Sequence, residues 1–324
     1  MINFEAEWNE VAQTLLMSGI KQVEANLPFT TYAAIIDNCR GVVVATDKQV
    51  VLRVQAFESY GLIFKRFEQG SKKGLMLLQR APHREEFMLF LEDLLDPKHY
   101  SIDLDVSMAI AQFSAIVLKW KRCFMQIGDA TYFDLKGLFG EMTFVNNLLS
   151  SGVDADRILT AWKIDRERYR VDFEFMDKCV EVEVKAIEQG TDHEIKISSI
   201  EQLTNSPGIQ LFLAVFAIES GAGITINELF NTINARLATK VTQDNLAELF
   251  FGYGLPPRLM KNYDDQKFRV SSVQFYNVAG TFPRMHRNII PPAISSATYE
   301  INVNQIPHET ITKFENLLRE VQIG

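Results

Sequence analysis

Cysteine is scarce. Cys39, Cys123 and Cys179 are the only three in 324 residues, and their spacing matches no disulfide or metal-binding pattern. That argues against a disulfide framework and suits a reducing compartment. Long apolar runs are missing as well. The most apolar stretch, 209–218, is far short of the ~20 residues that a membrane-spanning helix needs. The opening MINFEAEW has no basic segment leading into an apolar run, so no export signal is expected and the chain is read as cytoplasmic, with no membrane partner. There is no internal repeat, no low-complexity tract, no P-loop and no dinucleotide-binding glycine fingerprint. Nor is there an H-E-x-x-H pair or a nucleophile elbow, which removes the function classes those motifs mark. Positive charge is in short supply, with 33 Lys and Arg against 41 Asp and Glu, for a net charge of −8. A protein that grips a polyanion along its whole surface is usually basic.

What is present is the composition of an ordinary globular chain, 47% hydrophobic and 23% charged. Its length allows two or three domains and a substantial core. The charge is unevenly spread. Residues 256–290 hold six Lys or Arg against two Asp, so this segment is locally positive while the remainder carries about −12. Lys261, Lys267, Arg269, Arg284 and Arg287 are therefore expected to meet a polyanion, if any residues do. Tyr263, Phe268, Tyr276 and Phe282 are candidate stacking partners for bases, and His286 a further phosphate contact.

Periodicity predicts a first α+β part over 1–100. It has a helix at 4–16, strands at 31–36, 42–45, 50–54 and 75–79, and a helix at 84–95 stopped by Asp96-Pro97. A central part over 101–220 carries helices at 103–122 and 135–149, strand-like runs, a helical stretch at 196–203 and the apolar strand at 209–218. The order implies a mixed sheet with helices on its faces, an α/β unit. In the last part, 221–324, Thr225-Ile226-Asn227-Glu228 has the form of a capping box. Thr242 is expected to cap a second helix, which Gly252 and Gly254 end. Strand-like runs at 268–276 and 298–303 then suggest a winged-helix-like module, followed by a helix at 310–321.

The chemistry concentrates in one hairpin. Residues 169–175 and 180–185 alternate apolar and charged with period two. Val171, Phe173 and Phe175 share a face with Val180, Val182 and Val184. Asp172, Glu174, Glu181, Glu183 and Lys185 share the other. A tight turn at Asp177-Lys178 sets Phe175 opposite Val180, Glu174 beside Glu181 and Asp172 beside Glu183. Like charges facing each other across strands cost roughly 0.2–1 kcal/mol per pair. A divalent cation between Asp172 and Glu183 turns that repulsion into coordination, and Lys185 is two residues along the same face. Glu141 sits in a helical stripe with Leu138, Phe144, Val145 and Leu148 around it. A carboxylate there is costly to bury unless it is paired, protonated or on a metal, so Glu141 is expected to complete the metal shell.

Gly140-Glu141 on a helix, Val171-Asp172-Phe173 on a strand and Glu183-Val184-Lys185 on the next resemble the PD-(D/E)XK nuclease superfamily. Residues 135–203 resemble the PD-(D/E)XK motif proteins of bacterial phage-defence and restriction gene clusters, through K-G-L-F-G-E from Lys136, D-F-x-F, E-V-K and Ser199-Ile200-Glu201-Gln202-Leu203. Val171 stands where the superfamily's naming proline would be. The resemblance implies a restriction-endonuclease-like core, DNA as substrate and Mg²⁺ as cofactor, with Mn²⁺ able to substitute. It further implies a methyltransferase, helicase or ATPase of the same cluster as partner, and a homodimer where both strands are cut. Asp172 and Glu183 would hold the ion, Lys185 would orient water or neutralise phosphate, and Gln202 would be an accessory residue. Two rivals stand beside this: a nuclease fold used only as a scaffold in a defence complex, and a regulatory protein whose acidic hairpin is a partner surface. His193, ten residues after Glu183, is most simply a surface residue.

Overall fold

The computed structural model describes residues 2–14, 19–50, 54–58, 61–80, 84–101, 104–126, 135–163, 170–190, 193–204, 206–291 and 293–322. The expected strand at 50–54 lies mostly outside them. The chain forms two compact units, Met1–Tyr132 and Phe133–Gly324, where the sequence pattern suggests three parts with boundaries near 100 and 220.

In the first unit, strands β1 (Gly19–Val23), β2 (Thr30–Ile36), β3 (Cys39–Thr46), β4 (Phe57–Glu58), β5 (Leu62–Gln69) and β6 (Lys72–Gln79) form an antiparallel sheet of order β1-β2-β3-β6-β5-β4. Asp37 and Asn38 link β2 to β3 with φ of 52° and 63°, the twist that a two-residue hairpin turn requires. Helices α1 (Phe4–Thr14), α2 (Arg84–Leu94) and α3 (Val106–Gln126) complete the unit. Phe113, Val117, Trp120 and Phe124 recur at helical spacing on α3 and are all fully buried. The Trp120 ring stacks on Phe90 of α2 at 5.2 Å, and its Nε1 donates to Asp93 Oδ2 at 2.7 Å. That aromatic contact keeps α3 with the first unit rather than with the central sheet.

In the second unit, α4 (Leu135–Ser150) and α5 (Ala155–Ala161, capped by Asp154) precede β7 (Phe173–Phe175), β8 (Val180–Glu188), β9 (Glu194–Ile197) and β10 (Gln210–Thr225). Then come α6 (Ile226–Arg236), α7 (Lys240–Tyr253), β11 (Lys267–Asn277), β12 (Tyr299–Asn302), β13 (Ile311–Thr312) and α8 (Phe314–Gln322). The main sheet runs β13-β11-β10-β8-β7, with β8 and β10 parallel and the other pairs antiparallel. This mixed sheet with flanking helices is the restriction-endonuclease-like α+β architecture. Gly140 of α4 faces Val184 and Ala186 of β8, so α4 covers one face. Against the other face pack Ile195 and Ile197 of β9, Leu203, and Tyr276 of β11, around Leu211, Leu213 and Val215 of β10. The stretch 196–203, expected to be helical, is the end of β9 followed by one 3₁₀ turn, Ile200–Leu203.

Residues 221–324 are not a separate winged helix. β11 pairs along β10 from Asn277↔Phe212 to Lys267↔Thr225, and β12 pairs with β9. A long central strand such as β10 leaves a row of N–H and C=O groups that must find partners, and the C-terminal segment supplies them. The capping box is formed as its pattern predicts: Glu228 N donates to Thr225 Oγ1 and Thr225 N to Glu228 Oε2. Thr239, not Thr242, caps α7, because it is the Thr239 hydroxyl that accepts from Thr242 N at 3.1 Å. Thr225→Ala is expected to cost about 1 kcal/mol, read as a lower urea midpoint. Among the described residues no helix is long and apolar enough to cross a membrane.

Candidate metal centre

The hairpin forms in the register its pattern implies, with Phe175↔Val180, Glu174↔Glu181 and Phe173↔Val182 paired. A 3₁₀ turn, Met176–Lys178, and Cys179 at φ 54° close it. β7 begins at Phe173, and Asp172 just before it makes the approach with its side chain: Oδ2 accepts from Val184 N of β8 at 2.8 Å. The Asp172 carbonyl accepts from Lys163 N at 2.7 Å, and Trp162 bridges to Phe173. The chain leaving α5 thus braces the residue before β7.

The charged face of the hairpin is not solvated. Asp172 and Glu181 are each 5% exposed and Glu183 only 1%, because β9 and the 3₁₀ turn lie over that face. Each acid on β8 has a partner. Arg170 Nη2 donates to Glu181 Oε2, which offsets the like-charged Glu174 opposite. Glu183 Oε1 meets Lys185 Nζ at 2.7 Å and accepts from Gln202 Nε2 at 2.5 Å. Gln202 Oε1 accepts from Ser198 N at 2.9 Å, which fixes which end of the amide faces Glu183.

A cavity of about 460 Å³ opens here. Asp172, Glu183, Lys185 and Gln202 line it, with Gly137 of α4 and the basic residues Lys163, Arg170 and Lys196. Four of the five predicted site residues come together on it. Glu141 does not line it. It is 1% exposed, and its Oε2 accepts from Trp162 Nε1 at 2.8 Å. The Trp162 ring stacks on Phe173 at 5.9 Å. Among the described residues no three of His, Cys, Asp and Glu gather closely enough to hold an ion. Glu141, expected as a third carboxylate of the shell, stands off the cavity with its Oε2 on the Trp162 indole N–H, while Asp172 and Glu183 line the cavity.

Several cations of the basic segment have partners within the fold. Arg269 forms an ion pair with Glu219 on β10 at 2.5 Å. Arg284 donates to the Val278 carbonyl and, at 3.2 Å, to His286 Nε2, and burial lowers its pKa. Arg287 pairs with Glu201 at 2.6 Å and donates to the carbonyls of Ile294 and Ser295. Glu201's own backbone N–H, and then Arg287, hold the Glu201 carboxyl below its usual range. Three of the five cations expected to meet DNA are thus engaged within the fold, while Lys261 and Lys267 are exposed. Phe268, Tyr276 and Phe282 are buried, with Phe268 against Phe139 and Tyr276 against Phe282, so they offer no platform for bases. His193 is exposed and serves through its carbonyl, which accepts from Val303 N.

The sequence reading missed Trp162, Lys163, Arg170 and Lys196. A buried indole N–H nearly always needs an acceptor, so Trp162 was the one signal that could have paired with Glu141. A family model described as "Putative PD-(D/E)XK family member", DUF4420, matches residues 5–304. The chain belongs to DUF4420. No curated protein and no solved structure matches it. For a DUF4420 chain the helix α4, the hairpin β7–β8 and the parallel strand β10 make up the nuclease-like fold, and membership points to a hydrolase. Nucleases of this superfamily generally use divalent metals. The donor set fits such an ion. Two buried carboxylates on one cavity suit Mg²⁺ or Mn²⁺, which take one or two carboxylates and complete their shell with water and phosphate oxygens.

Proposed function

We propose that this chain is a metal-dependent DNA nuclease, acting in the cytoplasm as the nuclease component of a restriction or phage-defence system. The observation that carries this reading is that Asp172, Glu183 and Lys185, the D…E-x-K positions, line one cavity. Asp172 and Glu183 hold the ion, with Mg²⁺ the natural choice and Mn²⁺ a substitute. Bound there, the ion lowers the pKa of the attacking water and offsets charge on the phosphorus. Lys185 orients that water or neutralises a phosphate oxygen. Lys163 and Lys196 give the cavity a basic lining that attracts the phosphate backbone. Cutting both strands calls for two such sites, hence a homodimer. A methyltransferase, helicase or ATPase of the same gene cluster is the expected partner.

One observation favours a second reading, a nuclease-fold scaffold without catalysis. Glu183 Oε1 is already held by Lys185 and Gln202, an arrangement that holds without an ion. Incubation of the protein with plasmid DNA, single-stranded DNA and RNA in Mg²⁺ or Mn²⁺ separates the two. Nicking or linearisation that EDTA abolishes is expected. Intact DNA with both metals, together with flat Mn²⁺ titrations of wild type and Glu183→Ala, leaves the scaffold reading instead.

A further inference from the structure

Glu183 is held by a turn that has its own anchor. Gln202 lies in the 3₁₀ turn Ile200–Leu203, and Arg170 ties that turn to the main sheet. Arg170 Nη1 donates to the Thr204 carbonyl at 2.6 Å and to the Glu201 carbonyl at 3.1 Å, the two residues that bracket Gln202 and Leu203. Its Nη2 donates to Glu181, which is two residues before Glu183 on the same face of β8. A planar guanidinium holds several acceptors in a fixed fork, which a flexible ammonium does not. Arg170 therefore triangulates the turn against β8, and the turn in turn presents the Gln202 amide to Glu183 Oε1.

We infer that Arg170 is a positioning residue for the metal-binding carboxylate: through the 3₁₀ turn and Gln202 it sets where Glu183 points. The inference rests on the metal site proposed above. Arg170 is outside the D…E-x-K pattern, and no reading of that pattern assigns it a role. The same turn is gripped from its other side by Arg287, which takes the Glu201 carboxylate while Arg170 takes the Glu201 carbonyl. Residues that orient a ligand without touching the metal typically shift affinity 10–100-fold when lost.

The test is Mn²⁺ affinity by titration calorimetry on the full chain, with the Mn²⁺ electron paramagnetic resonance spectrum as second readout. The variants are Arg170→Lys, Gln202→Ala and the double variant. Arg157→Ala, which removes the ion pair to Asp177 at the hairpin turn away from the cavity, is the control. Arg170→Lys keeps the charge and loses the fork, so about tenfold weaker binding is expected. Gln202→Ala should lose a similar factor, and the double variant no more than the larger single loss, because both act on one path. The control should bind as wild type does. Wild type binding Mn²⁺ while Arg170→Lys binds equally well overturns the inference and leaves the metal site standing. Losses that multiply in the double variant overturn it as well. No Mn²⁺ binding by wild type overturns the metal site and this inference with it. Should Arg170→Lys not give folded protein, Glu181→Ala removes the acceptor at the other end of the same link and should also weaken binding.

Discussion

Asp172→Asn is expected to lower metal-dependent cleavage by at least about a thousandfold while leaving the fold intact, a change of ~4 kcal/mol in the barrier. Asparagine is the informative choice. Asp172 Oδ2 accepts from the buried Val184 N–H, and alanine would leave that donor unsatisfied at a cost of ~1–3 kcal/mol. The amide oxygen keeps the bond and removes only the charge the ion needs. Lys185→Met should lose a comparable factor for a different reason. Lys185 is beside Glu183, whose side chain is 1% exposed, and removing one member of a buried pair typically destabilises by ~3–5 kcal/mol. This variant should therefore also have a lower urea midpoint, part of which added Mn²⁺ restores by taking the lysine's place beside the carboxylate. Gel assays of plasmid cleavage, run alongside urea titrations with and without metal, read both effects. Cleavage near the wild-type rate in Asp172→Asn and in Lys185→Met would sink the nuclease reading.

Trp162→Phe is expected to destabilise the second unit by about 2 kcal/mol. The indole N–H is a hydrogen bond to a fully buried carboxylate, and hydrogen bonds to charged groups contribute about 1.5–3 kcal/mol. Phenylalanine keeps a ring against Phe173 but removes the N–H that Glu141 Oε2 accepts from. Glu141→Gln is the comparison, since its amide oxygen can still accept from Trp162, and it should change stability by less than about 1 kcal/mol. Equal urea midpoints for wild type and Trp162→Phe would show that Glu141 depends on some other partner.

Much of the second unit's core was legible because period and chemistry agreed. The alternation in 180–185 marked β8, and the charges at Asp172, Glu183 and Lys185 were placed on one face by parity alone. Parity does not say what covers a face. The cover comes from β9, only four residues long, and from a single 3₁₀ turn, both too short to carry a periodic signal. The whole of β5 went unread, for the opposite reason. Lys65, Arg66, Glu68 and Gln69 project from an exposed stretch, so apolar alternation is lost. The periodicity of α3 did not show that Trp120 stacks on Phe90 and donates to Asp93 of α2, earlier in the chain. Local charge does not reveal partners at 284–287, where Arg284 donates to the Val278 carbonyl and Arg287 to the Ser295 carbonyl and Glu201. Arg170 gave no signal at all, since a lone arginine before a strand is unremarkable until its three acceptors are assembled around it.

The pairing of β9 with β12 joins Glu194 to Asn302 and Ile197 to Tyr299. One wall of the cavity thus leans on a strand made a hundred residues later. On the ribosome, the hairpin with Asp172, Glu183 and Lys185 emerges well before that support. A nascent chain carries the reactive groups but not the chamber that organises them until residue 302 has cleared the exit tunnel.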